Sequence, residues 1–463
     1  MKKTIYIIIL VCTILNSSCD KLIDLNAKDL NLFIPEEALK KPEDMQALLN
    51  SCYDATANMM NGRFQIANDL LGDDIVPLLN NGNYLGIYNR NSNQFNGVIG
   101  DLYSQPYFSI YRINVMDLYY NQIAGLSADD ITRMKGEGSF LRALCHFETV
   151  KLWAQPWGFT NDNSHLGIIL RERAKNEAIA RSSVSASFNL IINDLLFAID
   201  NLPETNGVYA DKMAAKALLA KVYFHIGRYN EALPLLNDVI NSNKYTLSDS
   251  LNRYDRIKTK SEIVFGFVAD SAFEMQRGDA FRSNYTTKGT AQMGISNDLF
   301  NLIHSDTTDR RNNLLKVVVK DGVQTILTTK FDLSTVFACP YITLTELLLT
   351  RAECLGMLNN NISQGVDDLN RIIKRAYGES TTRALNSSTD AITLLSETRL
   401  QRRIEMFCEG DRVQQFKRIA VASQNNPQEI RGAKWNCPGM ILQFPGSEGT
   451  SANFIYNPTT VCN

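Results

Sequence analysis

Apolar residues along this chain recur mostly at the three-to-four-residue spacing of an amphipathic helix, and only rarely in the strict alternation of a half-buried strand. The clearest stretch runs from Ala214 to Ile240. Leu218, Leu219, Val222 and Tyr223 line one face, Gly227 interrupts, and Leu235, Leu236 and Val239 line a second face that begins at Ala232. Small residues at Ala217, Ala220 and Ala232 let two helices approach closely, so the pattern predicts a helix–turn–helix pair.

The same reading applies elsewhere. It predicts helices over Arg133 to Trp153, over Ser185 to Asn201 with a stop at Leu202-Pro203, over Ile342 to Met357 and over Gly365 to Ala376. The last two are separated by a break at Asn359–Asn361. Paired helices of this kind follow the logic of tetratricopeptide repeats, units of about 34 residues that stack into a superhelix. The predicted class is mostly α, a tetratricopeptide-like helical-repeat scaffold with long irregular ligand-binding loops. The loops are placed at 79–97, which holds seven Asn, three Gly and three aromatic residues, at 270–297, and from Asn425 onward. Binding groups tend to sit on such loops.

The N-terminus carries a different pattern. Lys2 and Lys3 precede an apolar run of eleven residues, Ile5 to Leu15, and Asn16-Ser17-Ser18 lead into Cys19. A run of that length is too short to span a bilayer and reads as a secretory signal. Cys19 stands where a lipoprotein peptidase cuts and acyl chains are attached, although Asn16 occupies the position where such signals usually carry Leu. The expected organisation is a signal peptide at 1–18, a lipidated tether at 19–32 and one domain at 33–463. Such a protein is expected outside the cytoplasm, tethered to a membrane by lipid alone, a durable attachment when two or more chains are buried.

Composition narrows the function. The net charge of −2 argues against general nucleic-acid binding, which needs a basic face. Cys145, Cys354 and Cys408 sit in apolar helical patterns as buried thiols, whereas Cys437 and Cys462 flank a Pro/Gly-rich tail and are the candidate disulfide, the sequence leaving open whether they pair. None of His146, His165, His225 and His304 lies at metal-ligand spacing, and His146 and His225 are expected to be hydrogen-bonded within helices. No phosphate loop or nucleophile elbow is present. Glu405 and Glu409, four apart, are expected to share a helix face and pair with nearby Arg402 and Arg403, leaving these residues and Arg412 a scaffold role. No catalysis, cofactor or metal is expected.

Several segments in order resemble the SusD/RagB family of nutrient-binding outer-membrane lipoproteins. They include Asp20 to Asp24, Pro42 to Tyr53, Tyr111 to Asn114 and Lys135 to Ala143. In the last of these, Gly138-Ser139 stand where the family usually has Ala-Arg. Trp153 to Pro156, Leu166-Gly167-Ile168, Ala214 to Tyr229, Arg351-Ala352-Glu353, Asp368 to Ile372 and Arg402 to Arg412 follow. The resemblance implies a non-catalytic lid on a SusC-type TonB-dependent transporter, with a helical scaffold facing the transporter and loops holding an oligosaccharide or, in the rival reading, a peptide. A third reading is a helical-repeat scaffold for surface complexes without a ligand of its own.

By position, the resemblance puts the ligand site at Asp73, Asp74, Tyr84, Tyr88, Asn91, Asn93, Gln94 and Phe95. A second patch at Phe281, Arg282, Asn284 and Tyr285 carries similar chemistry. Flat aromatic faces and carboxamides suit sugar C–H and hydroxyl groups. Trp153 and Trp157 are assigned to the core. The presence of only three Trp against 18 Tyr and 21 Phe keeps the peptide reading open.

Overall fold

The computed structural model describes residues 38–462, apart from 176, 252–259, 269–277, 321, 333–338, 424–427, 451–452 and 460–461. The expected signal peptide, Cys19 and the 19–32 tether lie outside the described residues, as do the first positions of the 270–297 loop.

The chain is mostly helical. Its elements run α1 (Pro42–Met59), α2 (Arg63–Leu71), β1 (Ile75–Pro77), α3 (Gly82–Tyr88), α4 (Gly97–Tyr119), α5 (Ala128–Trp153), α6 (Val184–Asn201), α7 (Lys212–His225) and α8 (Tyr229–Ile240). There follow β2 (Ile263–Phe267), α9 (Asp279–Tyr285), β3 (Met293–Ile295), α10 (Asn297–His304), β4 (Leu315–Lys320), β5 (Val323–Thr328), β6 (Cys339–Thr343), α11 (Leu344–Leu358), α12 (Ile362–Tyr377), α13 (Ala391–Glu405) and α14 (Arg412–Ala422). Among the described residues the strands pair antiparallel in twos, β1 with β3, β2 with β6 and β4 with β5.

Helix pairs α5–α6, α7–α8 and α11–α12 pack internally, and α6 on α7 and α8 on α11 join them into a tetratricopeptide-like stack. Helix α7 starts where Asp211 accepts a bond from the Ala214 amide at 2.8 Å. It buries Ala214, Ala217, Leu218 and Val222, and the chain then turns at Gly227 with φ +77°. The predicted break between α11 and α12 is made by Asn359 and Asn361, both left-handed at φ 47° and 45°; asparagine tolerates this conformation better than most side chains.

Four expectations change. Ile342 belongs to strand β6, because it pairs with Phe265 of β2; α11 starts after Thr343, whose hydroxyl caps the Glu346 amide. The 79–97 stretch contains a helix, α3, nucleated by the Asn81 side chain accepting from the Asn83 and Tyr84 amides. His146 is buried with both ring nitrogens unpartnered, and burial, with Arg142 nearby, lowers its pKa to about 3. Glu405 and Glu409 share no helix face, since α13 ends at Glu405 and left-handed Cys408 and Gly410 turn the chain. Glu405 instead binds Arg311 at 3.0 Å and Arg375 at 2.7 Å, and Glu409 binds Lys330 at 2.5 Å. Arg402 reaches Asp411 at 2.6 Å.

The C-terminal tail lies against α5. Trp153 is fully buried, its indole N–H donating to the Gln443 carbonyl at 3.1 Å, and Asn457 donates to the carbonyls of Trp153 and Leu442 at 2.9 and 2.8 Å. Cys437 and Cys462 are joined by a disulfide, and Cys52, Cys145, Cys339, Cys354 and Cys408 are buried free thiols.

Candidate ligand-binding site

The segment between α2 and α4 is held by two arginines. Arg431 donates to the carbonyls of Leu70, Gly72 and Tyr88 at 2.8, 2.7 and 2.8 Å, and its guanidinium lies 3.8 Å from the Tyr88 ring centroid. Arg90 donates to the Ile430 carbonyl at 2.7 Å; burial, and then Arg431 beside it, lower its pKa to about 10. Together they satisfy carbonyls at the end of α2 that the helix leaves without partners. The loop thus has fixed geometry despite its asparagine content.

Asn96 caps α4 by accepting from the Ile99 amide at 3.1 Å and donates to the Asn83 carbonyl at 2.9 Å. The Asn93 side chain accepts from the Phe95 amide at 2.9 Å. A hollow of about 400 Å³ results, lined by Asn83, Asn89, Asn91, Asn93, Asn96 and Phe95 among others. The Phe95 ring is 83% exposed at its edge. An uncovered aromatic ring beside several carboxamides can stack on sugar C–H groups while donating to and accepting from hydroxyls.

Of the residues expected in the site, Asn91, Asn93 and Phe95 line the hollow, and Gln94 adjoins it through its backbone. Tyr84 and Tyr88 lie half-buried beneath it. Burial raises the Tyr84 pKa, opposed by Asn284 and Arg63. Asp73 is engaged by Arg412 at 2.6 Å, which outweighs burial and holds its carboxyl below the usual range; Asp74 is 2% exposed and bonded to Arg403. The second patch turns inward. Phe281 stacks on Phe331 at 4.8 Å, the Tyr285 hydroxyl donates to Asp69 at 2.9 Å, and Asn284 is 2% exposed, leaving only Arg282 half-exposed. Short helix α9 packs these side chains against α2 and β3.

A feature that the sequence reading missed adjoins the hollow. The Gly446 amide donates to the Gln94 carbonyl at 2.9 Å, so the 445–448 segment forms a shared rim. Beyond it lies a trough of about 510 Å³, lined along α4 by Ser104, Tyr107, Phe108 and Tyr111 and opposite by Arg171, Arg173 and Lys175, with Glu448 on the rim. Phe108 and Tyr111 are each 54% exposed. Tyr107 donates to the Ile169 carbonyl at 2.9 Å, and Tyr103 behind it packs on Trp153 and Phe444 at 5.3 Å. The signal was present in the sequence, since Tyr103, Tyr107 and Tyr111 recur every fourth residue. A smaller cavity of about 90 Å³ near α7 and α14 contains charges paired with one another, such as Lys221 with Glu346 and Lys151 with Glu148, which marks polar packing rather than a ligand site.

Comparison with known proteins gives a consistent result. Residues 26–224 match a family described as "Starch-binding associating with outer membrane", and residues 281–436 match one described as "SusD family". No curated protein sequence matches the chain. Among solved structures, a SusD superfamily protein from Bacteroides thetaiotaomicron is 21% identical over 90% of this chain and 100% of its own, with a TM-score of 0.79. One from Bacteroides vulgatus is 20% identical over 90% and 99%, with a TM-score of 0.78. A laminarin-binding SusD-like protein is 19% identical over 90% and 99%, with a TM-score of 0.73. At these identities the likeness is one of fold.

Proposed function

The chain belongs to the SusD/RagB family, and from that premise we propose that it is a non-catalytic lipoprotein of the cell surface that captures an oligosaccharide and passes it to a SusC-type TonB-dependent transporter. The observation that carries the reading is the uncovered Phe95 ring over a carboxamide-lined hollow. Laminarin binding by a relative of the same fold supports the ligand class. Among the described residues no helix is long and apolar enough to cross a membrane. Among them, too, no group of His, Cys, Asp and Glu is placed to hold a metal.

The lid role calls for a body that stays at the membrane and moves, and the 19–32 segment is the proposed tether. Calorimetric titration of the protein with laminarihexaose and with a panel of other oligosaccharides and peptides tests the ligand class. Saturable glycan binding is expected. Binding of peptides alone would transfer the same site to the rival cargo. A Cys19→Ala variant should fold and bind ligand yet fail to support uptake; growth on the nutrient with that variant would refute the lid.

A further inference from the structure

We propose that the trough along α4 selects anionic oligosaccharides, those bearing carboxylate or sulfate groups, over neutral ones. This rests on the glycan-binding reading and specifies the substrate class of the same surface. The floor is aromatic, with Tyr107, Phe108 and Tyr111 offering ring faces and edges to successive sugar units. The facing wall places Arg171, Arg173 and Lys175 within five residues, against Glu448 as the acidic group in the lining. In a chain of net charge −2, this is a local concentration of positive charge.

One acid outside the lining, Glu177, interacts with all three cations, which lower its pKa, first through its bond to Lys175. The Arg171 guanidinium donates to the backbone carbonyls of Glu177 at 2.7 Å and Lys175 at 3.4 Å, neutral acceptors that orient the fork without neutralising it. Its backbone is fixed in turn, the Asn114 side chain donating to the Arg171 carbonyl at 3.1 Å. Arg173 is exposed and makes no ion pair among the described residues. Lys175 meets Glu177 at 2.7 Å, but the two side chains are 69% and 40% exposed, and such a pair exchanges partners at little cost. Burial raises the Glu448 pKa against the pull of Arg171, so the acid on the rim bears its charge reluctantly. Planar guanidinium groups match carboxylate and sulfate oxygens through paired N–H donors, and an open aromatic floor admits a chain of sugars beneath them.

The test is calorimetry on the full-length protein in detergent, with hexagalacturonate, its methyl ester, sulfated and unsulfated laminarihexaose, and a hexaglutamate peptide as probes. Hexagalacturonate or the sulfated glycan should bind about tenfold more tightly than its uncharged counterpart, and whichever of the two does so names the anion. The advantage should disappear in the exposed double variant R173Q/K175Q and shrink as salt rises. Equal affinity for charged and uncharged glycans would overturn the selectivity while leaving glycan capture standing. An undiminished advantage in R173Q/K175Q would remove it from this wall. Tightest binding of hexaglutamate, or no glycan binding at all, would overturn the glycan reading together with it.

Discussion

Arg403, at the C-terminal end of α13, donates to the Asp74 carboxylate through Nε at 2.9 Å and Nη2 at 2.5 Å, linking positions 329 apart in the chain. Beside it Arg412 grips Asp73, so two successive acids after α2 are clasped by two arginines that flank the turn after α13. The clasp ties the strand leading to the hollow onto the C-terminal helices.

Breaking one side of the clasp should be costly. Arg403→Met strands a buried carboxyl whose Oδ2 already has no partner, and a loss of about 3 kcal/mol in urea unfolding is expected. Adding Asp74→Asn should recover a good part of it. A single variant as stable as the parent would show that the pair contributes nothing.

His146 gives a pH dependence of definite sign. Its folded pKa of about 3 lies below the ordinary 6.5, so the unfolded chain takes up the proton first. The stability that this group contributes is complete above about pH 6.5 and is lost as pH falls towards 3. Between pH 7 and 5 the parent should lose about 2 kcal/mol more than His146→Leu does. Parallel stability curves for the two proteins would contradict the burial of a neutral imidazole.

The disulfide closes a tail segment of sequence separation 25. Replacing Cys437 and Cys462 together by Ser should cost about 3 kcal/mol, read as a lower unfolding midpoint. Because the tail carries Gln443 and Asn457 against Trp153, tryptophan fluorescence should change in the same transition. An unchanged midpoint would mean that the tail is held by its hydrogen bonds alone.

Phe95→Ala should weaken oligosaccharide binding about tenfold, the loss of one aromatic–sugar contact, with the unfolding midpoint unchanged because the ring is 83% exposed. Full affinity in the variant would remove the hollow as the capture site.

The sequence already contained α7, α8 and the Gly227 turn, because apolar helical spacing and a glycine break act over short stretches of chain. It also singled out Asn91, Asn93 and Phe95, and these line the hollow. It misassigned Phe281 and Tyr285, since an aromatic residue in a polar stretch looks the same whether it faces solvent or, as here, packs inward. The partners of Glu405 and Glu409 were equally illegible. Helical spacing suggested neighbours in sequence, whereas the chain turns after Glu405 and their partners arrive from Arg311, Arg375 and Lys330.

Family and helical class were thus determined by the chain itself, through short-range periodicity and ordered motifs. Tertiary structure decided which side of α4 is uncovered, which acids are spent on arginines and which cations are left to face a trough. Those outcomes depend on contacts between residues tens to hundreds of positions apart, where burial and charge pairing compete and local spacing has no influence.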